Sequence, residues 1–460
     1  MRTGWIVLLA VVSACGDDDC CKVADAATSD TSVPIDAPAP RRVEVASIAV
    51  TVNRDVDMLF VIDDSPSMLD KQARLINSFP TFVNVLALTP GGMPNIHLGV
   101  VSTDVGTKGA EDSTAAPMIG SGPGSCTGTG KGGNMQNPGT VVVGSYIIDV
   151  ENPDTSRTHN YSGTLTDAFS SIAALGANGC GFEQPAHAAM LALLNNSVNA
   201  GFLRPTANLA IIVVTDEDDC SIAHSTLLTT DTSTLGPLQS FRCTRFGVTC
   251  DQGGATSDQM NIAGSKGGCH SNEASAYTLA MGSTASWFSM LKASPSQVMF
   301  AAIAAPPVPF DVELRTPPGG GAALPALSHS CTYSGAMGPE VGDPVVRLAQ
   351  LANTFARSSM SDVCGDLSVG LTTIANQVRG MVGDTCLSRD IILPADCIVT
   401  DQSSSGTATL PECSASVTTN CYRLVSDAIA CTSSPHLRVE IQRSTPPPAD
   451  TVTSFQCFVP

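Results

Sequence analysis

Asp57-Met58-Leu59-Phe60-Val61-Ile62-Asp63-Asp64-Ser65-Pro66-Ser67 is the stretch that decides the fold. Its unbroken apolar centre lacks the alternation of a half-exposed strand, and suits a parallel strand covered on both faces. It ends on carboxylates, hydroxyls and a proline, a composition that opens helices. From Met68 to Leu88, Leu75, Phe79, Phe82, Val83 and Leu86 recur at helical spacing. Further strands are predicted over Ile96–Thr103, Leu209–Thr215 and Val298–Ala304. Helices are predicted over Thr164–Leu175, Ala186–Val198, Tyr277–Leu291, Val345–Phe355 and Leu367–Val382. Strands that alternate with helices predict an α/β fold, a doubly wound and mostly parallel sheet flanked by helices.

Asp63, Ser65 and Ser67 place one carboxylate and two hydroxyls at the carboxyl end of that first strand. These are hard oxygen ligands, suited to a hard divalent cation. Taken alone, the spacing equally describes a capped helix start. A second apolar strand ends in Thr215-Asp216. Between the two, Gly179-Cys180-Gly181-Phe182-Glu183-Gln184-Pro185 opens a helix.

As an ordered set, these features resemble the von Willebrand factor type A domain and its DxSxS motif. The resemblance spans about residues 55 to 380 and leaves three long insertions unmatched. It implies a MIDAS-like site for Mg2+ or Ca2+ built from Asp63, Ser65, Ser67 and Asp216. Glu183 (or Gln184) stands where that family has a metal-coordinating threonine. In the family an acidic side chain of a partner completes the ion's shell, so the implied role is metal-dependent protein binding or adhesion. Asp216-Glu217-Asp218-Asp219 replaces the family's Asp-Gly. Glu217, Asp218 and Asp219 read as a solvated acidic loop or, alternatively, as a second calcium-type site, although EF-hand spacing is lacking. If both loops close on one ion, a Cys180–Cys220 bridge is expected, with Cys243, Cys250 and Cys269 as competing partners.

Catalytic strings are missing: there is no GxSxG, HExxH or Walker A motif. His187 and His270 read as structural or exposed. Two other roles stay open. One is a secreted metal-assisted hydrolase with the insertions forming a substrate pocket; the other is a structural envelope protein that the metal only stabilises.

The insertions, roughly Asp104–Tyr161, Glu217–Ala274 and Ala305–Asp343, each begin where an apolar strand ends. They are therefore expected to gather over the carboxyl face of the sheet, where open α/β sheets bind ligands. From Cys386 onward, short β-prone pieces and six cysteines predict a small β module stapled by disulfides. The resulting boundaries are 47–383 for the main domain and 384–460 for the module.

At the other end, Met1-Arg2-Thr3, an apolar run from Trp5 to Val12 and Val12-Ser13-Ala14-Cys15 resemble a lipoprotein leader, residues 1–15, with Cys15 as the acylated residue. Residues 16–46 read as an acidic, Pro-rich tether. A bacterial cell-envelope protein is expected, anchored to the membrane by lipid, at the outer membrane or cell surface. The 17 cysteines point to an oxidising compartment, and the fourteen from Cys126 to Cys457 allow complete pairing. With 42 acidic against 23 basic residues and a net charge of −19, nucleic acid is excluded as a partner, whereas divalent cations are attracted.

Overall fold

The quoted apolar run forms β1 (Asp55–Ile62), in which every residue after Asp55 is buried. The computed structural model describes residues 41–49, 53–89, 92–152, 154–194, 197–317, 320–336, 338–382, 386–387, 389–426, 431, 434–444 and 451–460. The leader, Cys15 and the tether up to residue 40 lie outside them. The remaining strands of the main sheet are β2 (Asn95–Ser102), β3 (Ile147–Glu151), β4 (Arg157–His159), β5 (Asn208–Val214), β6 (Val298–Ala304) and β7 (Ser358–Asp362). Their order is β7-β6-β5-β1-β2-β3-β4. The five from β7 to β2 are parallel, and β3 and β4 add an antiparallel edge. The chain is a mixed α/β protein with a parallel-rich, seven-stranded sheet.

The helices that flank the sheet are α1 (Leu69–Ala87), α2 (Leu165–Ala173), α3 (Pro185–Leu193), α4 (Met281–Ser289), α5 (Val346–Asn353) and α6 (Leu367–Met381). Successive side chains of a strand point to opposite faces, and β1 feeds two cores. Met58, Phe60 and Ile62 pack with Phe79 and Phe82 of α1, Phe169 of α2 and Ile374 of α6. Leu59 and Val61 pack with Ala189 of α3, Phe288 of α4 and Leu351 of α5. Each of these large side chains, fully buried, stabilises the fold by roughly 1.5–3 kcal/mol, and Ala189 by less. Phe79 stacks on Phe169, and Phe60 meets that ring edge-on.

β1 lies between β2 on one side and β5 on the other, and the chain changes direction of travel across the sheet there. Such a point opens a crevice at the carboxyl ends of the strands. Residues 104–135 of the first insertion cover it, with Gly181 N donating to Gly124 O at 3.1 Å. The rest of that insertion does not gather there as expected, because it supplies β3 and β4 at the far edge. The second and third insertions join each other. Gln239 Nε2 donates to Pro325 O at 2.7 Å, and Gly264–Ser265 pairs with Asp311–Arg315.

All fourteen cysteines from Cys126 to Cys457 are paired, which fits an extracellular or envelope compartment. The expected Cys180–Cys220 bridge is overturned. Cys180 pairs with Cys126 and Cys220 with Cys243. The two loops do meet, but a backbone hydrogen bond joins them, from Cys220 N to Glu183 O at 2.7 Å. That leaves each sulfur free to tie its loop to an insertion. The six cysteines from Cys386 onward pair among themselves, around a small core containing Val399, Tyr422, Val439 and Phe455. Its four-stranded sheet includes Arg41–Ala49, so residues 41–46 form part of a strand and not of the expected tether. The β-branched Val43 favours that strand. Among the described residues, no helix is long and apolar enough to cross a membrane.

Candidate metal centre at the strand ends

Asp63 leaves β1 at the crevice and is completely buried. Its backbone N–H donates to Val214 O at 2.9 Å, which continues the ladder to β5. Oδ1 accepts from Ser65 N at 2.7 Å and Oδ2 from Thr215 Oγ1 at 2.8 Å. The Ser65 and Ser67 hydroxyls lie 3.2 Å apart, and Ser67 also hydrogen-bonds Asp216. Asp63, Ser65, Ser67 and Asp216 are thus brought together as a linked group. A Cβ on Gly179 would fall 2.1 Å from Asp64 Oδ1, so the Gly-rich turn passes this corner only as glycine.

Glu183 and Gln184 have different partners. The Gln184 side chain is engaged by Gly106 O, Ile222 N and His187 Nδ1. Glu183 instead faces Glu217 and Asp63. Burial, then Glu217, then Asp63 raise its carboxyl well above the usual range. Glu217 is raised well above its range by burial and by the charges of Asp343, Asp216 and Asp63, and it shares a hydrogen bond with Glu183. That bond requires one proton between the two acids. Burial and the neighbouring Asp216 push Asp63 up to about 7.

Two lysines at this pole escape a reading of the sequence. Lys71 Nζ is fully buried, 3.1 Å from Asp216 Oδ2 and 2.9 Å from Glu340 Oε2. Lys131, in the first insertion, pairs with Asp64, whose Oδ1 also accepts from Ser102 Oγ at 2.5 Å. Lys71 follows Ser67 by one helical turn and bonds its carbonyl at 3.1 Å. That spacing is the one signal that could have placed it here.

The solvated acidic loop is corrected as well. Asp218 accepts from the backbone N–H groups of Val346, Arg347 and Leu348 and so caps α5. Asp219 is buried and pairs with Arg347 at 3.1 Å. Both are consumed by the fold, which removes them from any second calcium site. His187 is buried, and burial lowers its pKa to about 4, so it is neutral.

Asp216 Oδ1 is buried and has no hydrogen-bond donor among the described residues. A bare carboxylate oxygen beside two hydroxyls and a second carboxylate fits a divalent cation, which takes oxygen ligands of this kind. Asp63, Ser65, Ser67 and Asp216 are the residues that would hold it, with Glu183 alongside. Among the described residues, the tightest gathering of His, Cys, Asp or Glu ligand atoms, within 4.8 Å of one another, is elsewhere, at Cys331, Asp362 and Cys364. There the two sulfurs are already bonded to each other. Beside the strand-end pole, the insertions enclose a cavity of about 220 Å³ lined by Glu183, Glu217, Phe241, Pro325 and Asp343.

No family model and no curated protein matches the chain. Solved structures do. A von Willebrand factor type A protein from Catenulispora acidiphila aligns at 12% identity and a TM-score of 0.26, over 88% of this chain and 58% of that one. The human COPII-coat protein Sec24c aligns at 12% and 0.31, over 90% and 41%. The pilus adhesin RrgA from Streptococcus pneumoniae aligns at 10% and 0.22, over 88% and 56%. The chain spans about half the length of these proteins.

Proposed function

We propose that this is a lipid-anchored envelope protein whose main domain is a doubly wound, von Willebrand factor type A-like unit. Through a divalent cation held at the strand ends, it binds another protein. The observation that carries the reading is the charge balance of the pole. Asp63, Asp216, Glu183 and Glu217 lie close enough to raise one another's pKa, and the buried cation beside Asp216, Lys71, also serves Glu340. Buried carboxylates in such excess need protons or a cation. Hydroxyls at Ser65 and Ser67 add neutral oxygen ligands and favour the cation. When bound, the ion supplies an electrophilic position for an oxygen donor of a partner. Asp63 and Ser67 orient the shell, and the insertions limit approach to the cleft beside Glu183. The test is capture of envelope proteins on the immobilised chain, in calcium or magnesium and again in chelator. Partners retained equally in chelator contradict the reading.

The cavity lined by Glu183 and Glu217 favours one alternative, a metal-assisted hydrolase, because acids of raised pKa in a cleft suit proton transfer. Cation-dependent cleavage of ester or peptide reporters, lost in Glu217→Gln, would establish that alternative.

A further inference from the structure

Three side chains lie in a row one residue beyond the paired ends of the central strands. Ile62 of β1 pairs with Ser102 of β2 and with Val214 of β5. The next residues, Asp63, Thr103 and Thr215, continue the ladder. Thr103 N donates to Ile62 O at 3.2 Å, Asp63 N to Val214 O at 2.9 Å and Thr215 N to Ile303 O at 3.2 Å. Residues in register on neighbouring strands present their side chains to the same face. Asp63 is therefore flanked by a threonine on each side.

The two threonines are used differently. Thr215 Oγ1 donates to Asp63 Oδ2 and so completes its own hydrogen bonding. Thr103 is equally buried, yet its Oγ1 has no hydrogen-bond partner among the described residues. A hydroxyl can rotate to suit an acceptor, and buried hydroxyls nearly always find one. Thr103 is also held in place, because its carbonyl accepts from Gln184 N at 3.1 Å, in the turn that carries Glu183. It stands between the Asp63 corner and that turn.

We infer that Thr103 Oγ1 is an oxygen ligand of the cation held by Asp63, directly or through one water. The inference rests on the cation reading of the pole. A hydroxyl is a neutral hard donor, so it fills a position in the shell without adding negative charge to an already acidic site. That role accounts for a rigidly placed polar group left without a partner among the described residues.

The test is calorimetric titration of Ca2+ and Mg2+ into the chelator-stripped full chain and its variants. T103V keeps the branched shape and loses the hydroxyl, whereas T103S keeps the hydroxyl and loses the methyl. T103V should bind the preferred ion at least about tenfold more weakly, the loss typical of groups that support a metal shell. T103S should stay close to the parent. In chelator, T103V should melt no lower than the parent, since no protein hydrogen bond is removed. If T103V does not fold, T103A is read in the same way. Parent-like affinity in T103V, or equal weakening in T103S, overturns the inference and leaves the cation site standing. A parent chain that binds neither ion overturns the cation reading itself.

Discussion

β1 carries a buried carboxylate near each end, and the two are treated in opposite ways. At the amino end, Asp57 accepts from Arg204 Nε at 2.8 Å, Arg204 N at 2.8 Å and Lys292 Nζ at 3.1 Å. Asp57 and the Lys292 side chain are completely buried, and two cations neutralise one acid. At the carboxyl end, Asp63 receives a backbone N–H and a hydroxyl but, among the described residues, no cation, and Asp216, Glu183 and Glu217 stand near it. The chain is thus able to bring cations to a buried acid on this strand. Where it brings hydroxyls and more acids than Lys71 and Lys131 can neutralise, the rest of the charge balance has to come from solution.

The sharpest way to break this comparison is to neutralise each acid in turn. Asp57→Asn leaves Lys292 and Arg204 with an uncompensated buried charge and should cost about 3–5 kcal/mol of stability. Asp63→Asn removes a charge that the cation-free fold does not balance, so in chelator it should raise the melting temperature. Chemical denaturation of both variants in chelator checks the signs, and equal destabilisation would remove the distinction between the two ends.

A second effect, expected at about tenfold, concerns Glu183. Affinity for calcium rises with the charge count of the ligands. Glu183→Thr should therefore lower calcium affinity more than magnesium affinity in titrations of stripped protein. Unchanged affinity would take Glu183 out of the shell.

A third sharpening comes from pH. Asp63 is held at about 7 by burial and Asp216, and Glu183 and Glu217 are raised well above their range. In the unfolded chain such groups titrate near about pH 4. Between roughly pH 4 and 7 the folded chain binds more protons than the unfolded one, so chelated protein loses stability as pH rises through that window. His187, lowered to about 4 by burial, and His97, also lowered by burial, act in the opposite sense below their ordinary value, whereas burial raises Asp104, Asp216 and Asp218 in the same sense as the three acids. Saturating calcium should flatten the profile, and calcium affinity should rise with pH. Melting temperatures from pH 5 to 8, with and without calcium, read this directly.

The smallest effect is expected at Lys71. Its ammonium competes with an arriving ion for Asp216 and also ties down Glu340. Lys71→Met should strengthen cation binding a few-fold, on the scale of a partly screened charge pair (about 1 kcal/mol). It should also increase hydrogen exchange in the hairpin formed by Cys331–Gly335 and Gly338–Gly342. Exchange unchanged in that hairpin would show that Lys71 does not hold it.

The strands that build the pole were legible because they are wholly apolar. Val298–Ala304 matches its predicted limits, and β1 and β5 end where their carboxylates were expected. β7, Ser358-Ser359-Met360-Ser361-Asp362, was not legible because an edge strand paired on one side tolerates a polar sequence. β3 and β4 were hidden in an insertion read as loop. Asp63, Ser65, Ser67 and Asp216 were visible as a motif in chain order. Lys71, Lys131 and Thr103 were not, since their roles arise only when distant segments fold together. Asp218 and Asp219 read as solvent-facing because a helix cap and an arginine partner more than 100 residues away leave no local trace.

The account turns on whether the pole holds a divalent cation. Calorimetric titration of calcium and of magnesium into the chelator-stripped chain near neutral pH decides it. One ion should bind per chain with protons released, and Asp63→Ala should abolish the heat while leaving the Asp57 cluster and the fold intact. Absence of binding by both ions, or undiminished binding in Asp63→Ala, would contradict it.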